Sequence, residues 1–115
     1  MSYTKKTVVT VQPYRYSIFA PIDVELNSTI KRLVQEGKID ADRANASNYV
    51  SSPPTPLYDS TAYGNVSRTV EGDKVTWVRH WVDESAAQEW IDAMTTVYAK
   101  YPAVVVKVMT IEDIV

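Results

Sequence analysis

Lys74-Val75-Thr76-Trp77-Val78-Arg79-His80-Trp81-Val82-Asp83-Glu84-Ser85-Ala86-Ala87-Gln88-Glu89-Trp90 changes its period part-way along. Up to Val82 the spacing is two, which puts Val75, Trp77, Arg79 and Trp81 on one face of a strand and Thr76, Val78, His80 and Val82 on the other. Apolar bulk on both faces is the mark of a central strand. After Asp83 the spacing lengthens, and Ala87, Trp90, Ile91, Met94, Val97, Tyr98 and Tyr101 recur at helical steps. Asp83 or Ser85 supplies the N-cap, the latter with Gln88 in capping-box position.

Working upstream, Gly72-Asp73 separates this strand from an arm running from Ser60 to Glu71. A two-residue loop with Gly first predicts a hairpin with a type II′ turn. Downstream, Pro102 ends the helix and Ala103 to Ile111 is a Val-rich run whose only charge is Lys107, which reads as a last, largely buried strand. Near the start, Thr7 to Val11 is a β-branched strand that is expected to continue past Pro13 through Tyr14, Tyr16 and Ile18. Pro21 and Asp23 then open a helix carrying Ile22, Leu26, Ile30, Leu33 and Val34, with Gly37 as its stop. Ala41, Ala44 and Ala46 suggest a short helical piece within Ile39 to Tyr49, and Ser51-Ser52-Pro53-Pro54-Thr55-Pro56 reads as a surface loop of polyproline character.

The element order is therefore β-α-β-β-α-β. Right-handed crossovers fold that order into a ferredoxin-like α+β sandwich: a four-stranded antiparallel sheet with two helices on one face, as a single domain over residues 1–115. Because the strands offer two apolar faces and the helices cover one, the other face is expected to be buried by self-association, making the protein a homodimer.

Composition narrows the function. The formal net charge is −2, and the twelve Lys and Arg are scattered, so no basic stripe invites a phosphate backbone or an anionic lipid surface. Aromatics on the first and third strands of such a sheet suit RNA-recognition modules, but Lys74 to Val82 lacks their Lys/Arg-Gly-aromatic pattern, so no nucleic-acid partner is expected. No apolar run reaches the length of a membrane-spanning helix and no export signal is recognised at Met1 to Val11, so no membrane partner is expected. The absence of cysteine removes disulfides and thiolate chemistry and suits a reducing, cytoplasmic location.

No catalytic, metal or cofactor signature is present, and no cofactor is expected. His80, the sole histidine, is a structural or interfacial residue, or else a base beside a pocket lined by Tyr14, Tyr16 and Tyr63. Tyr58 belongs to the same group of rings. Arg79 between Trp77 and Trp81 forms either an interface hot spot or a core pair of indoles with the arginine at its rim. Asp83 and Glu84 are read as acids at a helix start.

The β-α-β-β-α-β order, together with the stretch from Trp77 to Trp90 quoted above, resembles the dimeric α/β-barrel superfamily of antibiotic-biosynthesis-monooxygenase type. That resemblance implies a dimer and a possible pocket rather than a particular reaction. Two functions are expected on these grounds: a small non-enzymatic accessory protein that binds another protein as a homodimer, or a small-molecule-binding protein or cofactor-independent enzyme.

Overall fold

Thr7, Val8, Val9, Thr10 and Val11 favour extended backbone because their branched side chains are stiff at χ1. A computed structural model, which describes residues 3–39, 50–52 and 65–114, places them in β1 (Lys5–Gln12). The strand ends before Pro13, and α1 (Tyr16–Gln35) follows. The strand was expected to run on to Ile18 and the helix to open at Pro21 or Asp23; instead Ile18 is already helical and Pro21 lies inside α1. A proline inside a helix costs up to about 3 kcal/mol through its missing N–H. The gain that offsets it is the early turn bringing Phe19, 1% exposed, against Trp77 and Tyr98 at ring distances of 5.9 and 6.4 Å.

Gly37 ends α1 as its position predicts. It adopts φ 73°, and the N–H groups of Gly37 and Lys38 donate to the carbonyls of Val34 and Leu33, the paired bonds of a Schellman cap. Val50–Ser52 forms a short strand, β2, so Ser51 and Ser52 belong to the sheet and not to a loop. The helical piece expected at 40–49, the prolines at 53–56 and the arm at 60–64 lie outside the described residues.

β3 (Asn65–Glu71) and β4 (Lys74–Trp81) form the expected hairpin. Gly72 alone in the turn has positive φ, 63°, as a type II′ geometry requires. Asp73 holds the turn against the end of β1, accepting from the Gln12 side chain (2.6 Å) and from the Tyr14 backbone N–H (2.5 Å). α2 (Glu84–Tyr98) starts at Asp83, whose carboxylate accepts from the Ala86 N–H at 2.8 Å. Of the two candidate caps, Asp83 is the one used. β5 (Val105–Asp113) is the last of the described strands.

The sheet order is β2-β3-β4-β1-β5. Each adjacent pair among its four long strands is antiparallel, and β2 adds a short parallel strand on the outer side of β3. The architecture is α+β: an open four-stranded antiparallel sheet with two helices, extended by three residues of β2.

The alternation read from β4 is carried into burial: Val75, Trp77, Arg79 and Trp81 are buried and their even-numbered neighbours are not. Val11, Val9 and Thr7 of β1 stand opposite Val75, Trp77 and Arg79, on the same side. Phe19 of α1 meets Trp77, and Trp90 of α2 meets Trp81 at 6.0 Å. Ile22, Leu26, Ile30 and Leu33 of α1 and Ala87 and Met94 of α2 complete this core.

The last strand departs from expectation. Among the described residues β5 is a sheet edge with β1 as its one neighbour; Val105 and Val108 are 50% and 40% exposed, and Val106, Met109 and Ile111 reach the core. A continuous apolar run gives the strand; its place in the sheet decides how much of it is covered.

Candidate functional site

Two parts of the sheet carry more than packing: the buried array beneath the helices, and the β5 edge with the face opposite the helices.

In the array, the two-residue turn sets Arg68 opposite Trp77, and Arg68 is 1% exposed. Its Nη2 donates to the Tyr14 hydroxyl at 2.8 Å while the guanidinium lies 5.0 Å from the Tyr14 ring centre. Tyr14 is edge-on to both Phe19 (4.9 Å) and Trp77 (5.8 Å). Arg79, 2% exposed, sits 4.8 Å over the Trp90 ring. A guanidinium is weakly hydrated and flat, which is why it can be stacked on rings at a depth where an ammonium would be costly. Trp81 donates its indole N–H to the Thr7 hydroxyl at 2.9 Å inside this layer. Thr7→Val should therefore lower stability by about 1–3 kcal/mol, since it leaves a buried donor without an acceptor; urea denaturation followed by circular dichroism reads this directly.

The face opposite the helices carries Val8, Val78 and Val108 among Thr10, Thr69, Thr76, Thr110 and Ser67, with Lys6 between His80 and Glu112 across the strands. Thr10 and Thr76 share a hydrogen bond of 2.8 Å. This face was expected to be strongly apolar; it is a mixture of valine and threonine, because the even positions of β1 and β5 alternate the two residue types.

The residues singled out from sequence separate. His80 lies on the valine-threonine face, half-buried, whereas Tyr14 packs on the helix side against Trp77. Those two do not share a pocket. Tyr16 begins α1, but its side chain lies outside the described residues, as do Tyr58 and Tyr63 entirely. Trp77, Arg79 and Trp81 are buried against the helices of their own chain. Arg68 and Trp90 join them there. No group of three or more His, Asp or Glu among the described residues is placed to hold a metal ion.

No family model, curated protein or solved structure matches this chain.

Surface charge is organised into pairs. Arg32 and Lys38 at the end of α1 bracket Glu36 and Glu89, at 3.2 and 2.9 Å to the first and 2.8 and 3.0 Å to the second. Lys38 and then Arg32 hold both carboxyls below the usual glutamate range. Glu25 is lowered by hydrogen bonds from Lys100 and Tyr101, and Asp113 by Lys5. Each of these four acids binds its proton less readily folded than unfolded, so its contribution is present above the ordinary carboxylate pKa and is lost as pH falls through the folded value. The urea midpoint should hold steady near neutrality and drop below about pH 4.5, less steeply in Glu25→Gln. All four acids and their partners are solvent-accessible, so added salt should flatten the drop.

Proposed function

We propose that the chain is a ferredoxin-like β-α-β-β-α-β domain acting as a non-enzymatic interaction module that self-associates as a homodimer through β5. The order β2-β3-β4-β1-β5 supports the fold reading: its four long strands run as two split β-α-β units interleave them, with residues of both helices against one side of β4. The observation that carries the function is the β5 edge, a strand from Val105 to Asp113 with two exposed valines and no described neighbour on its outer side. Such an edge is a template for another strand. The expectation that Trp77, Arg79 and Trp81 make the contact gives way to this edge, since all three are buried within the chain. A reducing compartment such as the cytoplasm suits the cysteine-free sequence.

Size-exclusion chromatography with light scattering tests the reading. Twice the chain mass at micromolar concentration, falling towards one chain mass when Val108 is replaced by glutamate, is the expected result. A monomer at every concentration removes the reading.

A second reading, a small-molecule-binding protein, is favoured by one observation. Among the described residues, the indole N–H groups of Trp77 and Trp90 are buried without an acceptor, with Arg68 opposite Trp77 in the hairpin and Arg79 stacked on the Trp90 ring. An aromatic carboxylate supplies acceptors and a flat body to such a layer. A panel of aromatic carboxylates should then raise the melting temperature of the protein but not of Arg68→Met; no shift across the panel removes this reading.

A further inference from the structure

We infer that two copies of the chain join their β5 strands antiparallel about a two-fold axis at Thr110, with Lys107 of each copy opposite Asp113 of the other. This rests on the self-association reading above and adds the register to it.

The register follows from the backbone. The Ile114 N–H donates to the Thr4 carbonyl on the β1 side at 3.1 Å. In an antiparallel ladder such bonded positions alternate, so Glu112, Thr110 and Val108 also turn their amide groups towards β1, while Asp113, Ile111 and Met109 turn theirs outward. A second β5 must meet outward groups with outward groups. That confines the two-fold axis to a residue and excludes the space between residues, because a half-step pairs odd positions with even ones and sends their side chains to opposite faces.

Side chains choose among the axes that remain. An axis at Met109 sets Lys107 against Ile111 and Val105 against Asp113. An axis at Ile111 sets Asp113 against Met109, and one at Val108 sets Lys107 against Met109. Only Thr110 on the axis places Lys107 against Asp113 and Met109 against Ile111. Met109 and Ile111 are half-buried and, like Val106, already touch the core, so their pairing continues the core across the axis. Asp113 meets Lys5 within the chain, and its side chain is 76% exposed, which leaves room for a second lysine. The β1–β5 register shifts between Thr10 and Val11, opposite Lys107. A bulge and a charge at that point end the pairable stretch and discourage strands in other registers.

The chain has no cysteine, so Thr110→Cys introduces a single thiol. At a two-fold position without ladder bonds the Cα atoms approach to about 4.5 Å, within disulfide reach. Mild oxidation should link Thr110→Cys into a covalent dimer and leave Glu112→Cys unlinked, since its two copies are offset by about 13 Å along the strands. Lys107→Glu should raise the dimer Kd roughly tenfold by setting like charges opposite each other. Circular dichroism confirms that each exposed-site variant is folded. A dimer that links through Met109→Cys or Ile111→Cys and not through Thr110→Cys overturns the register while leaving the homodimer standing; a protein monomeric by light scattering overturns both.

Discussion

Replacing Trp90 by alanine should remove most of the stability of the fold. Trp90 is 0% exposed, its ring lies 6.0 Å from that of Trp81, and it is the surface on which Arg79 rests at 4.8 Å. Deleting a buried indole costs about 3–5 kcal/mol in lost transfer energy and cavity. A domain of this size holds about 5–15 kcal/mol in total, so the variant should sit near its unfolding midpoint at physiological temperature. Trp90→Phe keeps a ring for Arg79 and part of the volume, and should lose about half as much. Urea denaturation followed at 222 nm compares the three chains; a Trp90→Ala midpoint close to that of the parent would show that α2 is not fixed by this residue.

Arg79 should give the second largest effect, and its three replacements should rank in an order that surface arginines do not show. Arg79→Ala removes the stacked cation and leaves a cavity beneath α2, a loss of about 3 kcal/mol. Arg79→Met fills much of the same space without a charge to desolvate and should lose less. Arg79→Lys should be worse than Met, because an ammonium is compact and strongly hydrated and is not accommodated by a ring face as a guanidinium is. A lysine buried there should have its pKa depressed. The unfolded chain then binds a proton that the folded chain has shed, so stability of Arg79→Lys should rise with pH between neutrality and about pH 10, a slope absent from Arg79→Met. Equal stability of Lys and Met at pH 7, with no difference in slope, would place the head group in water.

These two residues also show how far the sequence can be read. The period of two in β4 puts Arg79 on the same face as Trp77 and Trp81, and the structure buries that face. What periodicity omits is which face the helices cover, and so whether a tryptophan-arginine row is an interface or an interior. Arg68 was within reach of the same reasoning: a turn at Gly72-Asp73 fixes Glu71 opposite Lys74, and counting back pairs Arg68 with Trp77. The Tyr14 contact was not, because a strand continuing through Tyr14 and Tyr16 keeps the alternation plausible, and only the turn after Gln12 swings Tyr14 under the sheet towards Phe19. The exposure of β5 was hidden for a related reason. A run such as Val104-Val105-Val106 reads the same at an edge as in the middle, and burial there depends on the neighbours that topology assigns.

That topology has a temporal side. β1 is synthesised first among the described strands, yet the neighbours that flank it, β4 and β5, begin only at Lys74 and Val105, with Lys5 reaching Asp113 across 108 positions. A nascent chain emerging from the ribosome can form α1 or the β3–β4 hairpin locally, but β1 has no ladder partner until β4 has been translated, and its other side waits for β5. Until then the valines of β1 need shelter, and the threonines set among them keep that waiting strand wettable.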